Sequence, residues 1–152
     1  KLRNRKEGVQ SWYLDMTMLE KYWGPERVYH HTAPISMIYA LRESLRLVLE
    51  EGLQERWERH RKHHNELVSG LEKLGLSMLV EEKYRTPMLN SVIIPETADD
   101  ASVRQQLLNE YNIEIGSGLG PLKGKIWRIG LMGHSCSKEN VDLILFALKK
   151  LL

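Results

Sequence analysis

The side chain best suited to holding a small anion is Arg128, in the stretch KIWRIG. Its neighbours Trp127 and Ile129 are apolar, and strand alternation then sets Arg128 on one face by itself. A planar guanidinium binds a carboxylate through two parallel hydrogen bonds. An arginine in this setting either reaches a cleft or lies on the open face of a sheet, and the residue alone leaves both readings open. Just before it, GSGLGPLKG carries four glycines in nine residues. Glycines permit positive φ and close backbone approach, so the loop could cradle a phosphate. No helix follows it as the dinucleotide fingerprint requires, and a plain turn between two strands is the other reading. Tyr29, His30, His31 and Thr32 form a second polar group ahead of a helix start. Two hydroxyl donors at a helix N-terminus suit a phosphate, while a simple cap with two surface histidines is the bland alternative. His60 and His64 are four apart on one helix in HRKHH, a spacing that can bind zinc. No HExxH glutamate and no third ligand accompany them, so a solvated or partly packed helix face is expected and no metal site is assigned. Cys136 lacks a base partner and is read as a packing residue.

These groups need a scaffold, and the sequence outlines one. Trp12, Met16, Leu19 and Trp23 recur near helical spacing until Gly24-Pro25 ends the segment. Thr32 can cap a helix with Pro34 in its first turn, followed by the apolar row Ile38, Leu41, Leu45 and Val48. Gly52 interrupts it, and a second helical pattern through Trp57, Leu67, Leu71 and Leu74 stops at Gly75. The period then changes. LSMLV and NSVIIP read as strands, and a helix over ADDASVRQQLLNEY has Asp99 or Asp100 as its N-cap. NIEIG and KIWRIGLMG read as two more strands, before a closing helix capped near Ser137. This order predicts an α+β fold, with a small, mostly antiparallel sheet packed on helices.

Composition narrows the function class. The 152 residues include 42% hydrophobic and 28% charged residues, a globular balance. Basic and acidic residues number 22 and 20, are interspersed and sum to +2, which gives no nucleic-acid footprint. One cysteine excludes an internal disulfide framework and fits a reducing compartment. No signal-peptide pattern or bilayer-length apolar run is present, so no membrane or nucleic-acid partner is expected, and the cytoplasm is the default location with the peroxisome and mitochondrion as alternatives. The polar opening KLRNRKEG, without Met, and the ending FALKKLL read as a chain cut from a longer one.

Three segments, SWYLDMTMLEKYWG, VYHHTAPISMIYALRESL and IEIGSGLGPLKGKIWRIGLMG, in that order closely resemble the alanine–glyoxylate (serine–pyruvate) aminotransferase family. These are class V, fold-type I enzymes that use pyridoxal 5'-phosphate. The resemblance covers nearly the whole chain. It implies that residues 1–51 end the large cofactor domain and that 52–152 form the small C-terminal domain. It implies a homodimer with shared active sites, in which Tyr29 and Thr32 bind the cofactor phosphate of the partner's site. Arg128 would bind the substrate carboxylate, and Gly118 and Gly120 would shape the substrate end of the cleft. The family's Schiff-base lysine, in an SxxKxxxxPPG-like motif, has no counterpart here, since Lys1 and Lys6 lack that context. No catalytic residue is therefore expected in this chain, which would be an inactive fragment of an enzyme moving amino groups between small amino acids and 2-oxo acids. Alanine or serine as donor and glyoxylate as acceptor are expected. Kynurenine-type and serine–glyoxylate activities are alternatives within the class. A stand-alone, non-catalytic dimerisation or binding module is the alternative outside it.

Overall fold

The computed structural model describes residues 4–152, and Lys1 lies outside the described residues. Backbone contacts divide the chain into two compact units, with the boundary between Leu47 and Val48.

The first unit opens with a 3-10 turn at Trp12–Leu14 and helix α1, Met16–Trp23. Asp15 caps α1 by accepting from the Thr17 amide at 2.9 Å and from the Thr17 hydroxyl. Gly24 closes the helix, because a Cβ there would stand 2.7 Å from the Glu20 carbonyl oxygen. Helix α2 runs over Ile35–Glu51. Its first hydrogen bond, from the Ile38 amide, is accepted by the Pro34 carbonyl. The Thr32 hydroxyl instead lies 3.1 Å from the Tyr29 hydroxyl, so the expected Thr32 cap is replaced by a side-chain pair. Neither α1 nor α2 buries a residue, and the predicted apolar row of α2 is bare, with Leu41 58% and Leu45 53% exposed.

The second unit holds the core. Gly52, at φ +88°, turns the chain into helix α3, Leu53–Lys73, which ends ahead of Gly75 as its glycine predicts. Strand β1 is Leu89–Ile93, helix α4 Asp100–Tyr111, strand β2 Gly116–Ser117, strand β3 Ile126–Gly130 and helix α5 Lys138–Leu151. Ser137 caps α5 by accepting from the Asn140 amide. All pairing is antiparallel, in the order β1-β3-β2, so the last strand of the chain lies in the middle. Trp127 and Ile129 of β3 pack with Leu67 and Leu71 of α3, Leu107 of α4 and Leu148 of α5 in one cluster. Each such side chain contributes about 1.5–3 kcal/mol on burial.

Two of the predicted strands keep only one or two paired residues. In LSMLV only Met78 bridges to Val92, flanked by single backbone bonds from Ile93 to Ser77 and from Leu79 to Ser91. In NIEIG only Gly116 and Ser117 pair. Asn112 ends α4 in the left-handed region, and the Ile113 amide donates back to the Leu107 carbonyl, which ties this segment to the helix instead of to β3.

Glu51, the last residue of α2, lies in the second unit. It accepts from Arg56 at 2.7 Å and from Arg59, and Arg59 also donates to the Gly133 and Cys136 carbonyls. The Arg59 hydrogen bond, helped by Arg56, lowers the Glu51 carboxyl from 4.5 to about 2. A folded-state value below the unfolded one stabilises the protein above about pH 4.5 and loses that contribution as pH falls towards 2. Partial solvent exposure limits the effect to about 1 kcal/mol or less. Urea unfolding at pH 5 and pH 3 should show a larger loss for the wild type than for Glu51→Gln. Parallel losses would remove Glu51 from the account.

Candidate functional site

Arg128 sits mid-strand in β3, across from Ser91 of β1 and Gly116 of β2. Its Nε donates to the Ser117 carbonyl at 2.7 Å. Its two Nη atoms have no hydrogen-bond partner among the described residues, so the outer edge of the fork is free. Gly116 makes room for it: a Cβ there would lie 3.1 Å from Nη2 and 3.3 Å from Nε. The glycine that matters to the arginine's position is therefore Gly116. Gly118 and Gly120 serve the turn between β2 and β3. An added Cβ at Gly118 would overlap the Leu122 carbonyl, and Gly120 adopts φ +52° at the start of the 3-10 turn Gly120–Leu122. A cleft of about 240 Å³ beside β3, lined among others by Ile115, Ile129, Ser135 and Asn140, does not include Arg128.

Beneath this hairpin lies a carboxylate that sequence reasoning treated only as a possible cap. Asp99 is the cap of α4, accepting from the Ser102 amide at 2.7 Å. Asp100 faces the sheet. Its Oδ1 accepts from Arg104 Nε at 2.8 Å and from Trp127 Nε1 at 3.0 Å. Its Oδ2 accepts from Arg104 Nη2 at 3.3 Å and from the Ser117 hydroxyl at 3.0 Å. Arg104 foremost, then Ser117 and Trp127, hold the carboxyl below its usual range against the opposing effect of burial. Nothing in the sequence pairs Asp100 with Trp127, because their proximity depends on how α4 crosses the sheet.

In the first unit the Tyr29 and Thr32 hydroxyls meet at 3.1 Å on an exposed turn before α2, and Tyr29 is 70% exposed. The turn rests on His30, which is buried, contrary to the surface position expected for it. Its ring stacks on Trp12 at 4.1 Å and 15°. His30 Nε2–H donates to the Trp12 carbonyl at 3.0 Å, which leaves Nδ1 to accept from His31 Nδ1–H at 2.9 Å. Two adjacent hydroxyls beside a helix N-terminus are a donor set that fits a phosphate such as that of pyridoxal phosphate.

The histidines of α3 are buried and not solvated. His60 donates from Nδ1 to the Arg56 carbonyl and accepts at Nε2 from the Gly133 amide, and His64 Nδ1–H donates to Asn90 Oδ1 at 2.7 Å. His63 pairs with Glu66 at 2.8 Å. Cys136 is buried as a packing residue, and burial pushes its thiol up, away from nucleophilic use.

Proteins of known structure share this fold. Over 98% of its length the chain superposes with alanine–glyoxylate aminotransferase from Nostoc sp., at a TM-score of 0.92 and 54% identity, covering 40% of that chain. It superposes with ureidoglycine–glyoxylate aminotransferase from Bacillus subtilis at a TM-score of 0.91 and 49% identity, covering 99% of this chain and 38% of that one. Among curated proteins, alanine–glyoxylate aminotransferase from Callithrix jacchus is 40% identical over an alignment of 156 positions, which spans all of this chain and 38% of that protein. The chain thus spans well under half the length of these relatives. The class-V aminotransferase family model matches residues 11–144. With its α+β fold, antiparallel three-stranded sheet and near-complete match, this chain belongs to the class-V aminotransferases.

Proposed function

We propose that the chain is the C-terminal portion of a pyridoxal-phosphate aminotransferase that transfers an amino group from alanine or serine to glyoxylate or a similar 2-oxo acid. The observation that carries this reading is the Arg128 fork, which uses only Nε on the protein and leaves both Nη atoms for a carboxylate. Both substrates of an aminotransferase carry an α-carboxylate, so one arginine serves both half-reactions. By fixing that carboxylate it orients the neighbouring α-carbon. When bound, pyridoxal phosphate supplies the electron sink that makes the α-proton acidic. Tyr29 and Thr32 donate to its phosphate, and their exposure suits service in the site of a second subunit of a homodimer. The bare apolar row of α2 marks a face that the assembled enzyme covers. Residues 1–51 belong to the large domain and 52–152 to the small one. The Schiff-base lysine that the family resemblance implies has no counterpart among these 152 residues, and on this reading they do not catalyse the transfer by themselves.

The 49% identity to (S)-ureidoglycine–glyoxylate transaminase from Bacillus subtilis favours a second donor, (S)-ureidoglycine, with the same acceptor. Arg128 contacts only the shared carboxylate and does not discriminate between donors. Amination of glyoxylate by the full-length protein, with alanine, serine and ureidoglycine in turn, ranks the donors. No amination with any donor would favour the non-catalytic module instead.

The phosphate assignment has its own test. Tyr29→Phe and Thr32→Ala should each weaken pyridoxal phosphate by roughly 10- to 100-fold, as expected for a charged hydrogen bond of about 1.5–3 kcal/mol. Affinity for pyridoxal, which lacks the phosphate, should stay within about 2-fold. Equal losses for both compounds would remove these residues from the phosphate site.

A further inference from the structure

We propose that Asp100 is a positioning residue for Arg128, fixing the guanidinium by clamping together the two strand residues that support it. The inference rests on the reading of Arg128 as the carboxylate-binding group.

The β2–β3 ladder has two residue pairs, Gly116 with Arg128 and Ser117 with Trp127, continued by one backbone bond from the Gly118 amide to the Ile126 carbonyl. So short a ladder is a weak support, since even complete two-stranded hairpins are marginal in water. Yet Arg128 depends on it, because Nε is held by the carbonyl of Ser117. A shift of Ser117 along or away from β3 moves that carbonyl and swings the free Nη edge.

One carboxylate opposes such a shift on both strands. Asp100 Oδ2 takes the Ser117 hydroxyl and Oδ1 takes the Trp127 indole, the residue directly across from Ser117 and next to Arg128. The clamp therefore closes on one cross-strand pair. Arg104, one helical turn along α4, fixes the carboxylate by a two-pronged ion pair and supplies the countercharge that burial requires. All four contacts of Asp100 are donors from the protein, which leaves the group no free position for substrate. Its role is to hold geometry. Gly116 completes the device by letting the guanidinium lie flat along β2.

The test uses the full-length protein loaded with cofactor, and reads carboxylate binding directly. The dissociation constant of propionate, an unreactive monocarboxylate, is measured by calorimetry in the wild type, Asp100→Asn, Arg128→Ala and the double variant. Asp100→Asn should weaken propionate by about 10-fold and raise KM for donor and acceptor alike, with kcat and the visible spectrum of the cofactor little changed. In the Arg128→Ala background the same substitution should change propionate binding less than about 2-fold, because the group it positions is gone. Ser117→Ala, which removes one jaw and leaves the core intact, should show a smaller effect of the same pattern. Equal effects of Asp100→Asn in both backgrounds, or none with Arg128 present, would overturn the inference while leaving Arg128 its role. Unchanged propionate binding in Arg128→Ala alone would overturn the reading of Arg128 and the inference with it.

Discussion

Arg128→Ala in the full-length protein is expected to raise KM for the amino donor and the 2-oxo acid together and to lower kcat/KM for both. Loss of a charge-assisted, two-pronged contact that leaves a substrate carboxylate unpaired corresponds to about 2–5 kcal/mol, well over tenfold. The parallel effect on both substrates is the diagnostic part. A residue that recognised only the donor side chain would spare glyoxylate, and one that merely supported the fold would lower the yield of active protein without moving KM. Arg128→Lys separates charge from geometry. A lysine keeps the positive charge, but it has no Nε to engage the Ser117 carbonyl and no second parallel donor. It should fall between the wild type and alanine. Steady-state kinetics with each substrate varied in turn decide the matter. Unchanged constants in Arg128→Ala would refute the role.

Local signals in the sequence were reliable wherever one residue type forces one backbone state. Gly52 separates α2 from α3 and Gly75 follows the end of α3, both at positive φ, and Ser137 caps α5 as its side chain predicts. Arg128 was legible as a strand residue because its neighbours are apolar, and Trp127 and Ile129 do turn into the core. Tyr29 and Thr32 were legible as a pair because they stand three positions apart in a single turn. What stayed hidden depends on strand register and helix crossing. Gly116 looks like any glycine of its loop until it is placed opposite Arg128. Asp100 looks like a cap, as does Asp99, and only the packing of α4 on the sheet assigns one to the helix and the other to Trp127 and Ser117. His30 reads as a surface histidine because its partner, Trp12, lies eighteen residues earlier. The NIEIG pattern alternates well enough for a full strand, but the end of α4 claims its first residues through the Ile113 amide. Alternation reports which face a side chain takes, and not whether a neighbouring strand is within reach.

Trp127→Ala is expected to be the most destabilising single substitution in the second unit. Trp127 is fully buried in the core cluster and is the largest side chain there. Removing a buried tryptophan costs about 3–5 kcal/mol through lost burial and the cavity left behind. A domain of this size loses roughly 4 °C in Tm per kcal/mol, so the melting point should fall by about 10–20 °C. Trp127→Phe divides the effect. Phenylalanine fills most of the volume but offers no donor to Asp100 Oδ1, so it should lose mainly the hydrogen bond, about 1–3 kcal/mol with the acceptor left buried. Asp100 keeps Arg104 and Ser117 in that variant, which places the Phe loss near the lower end. Hydrogen exchange at amides of α4 and α5 in the full-length protein reads the second unit separately from the rest. If phenylalanine destabilises as much as alanine, the indole hydrogen bond and not the packed volume governs this site. If neither does, the sheet is held by contacts other than those that converge on Trp127. Because Trp127 is both a core residue and one jaw of the Asp100 clamp, the Phe variant should also weaken carboxylate binding more than its small stability loss implies.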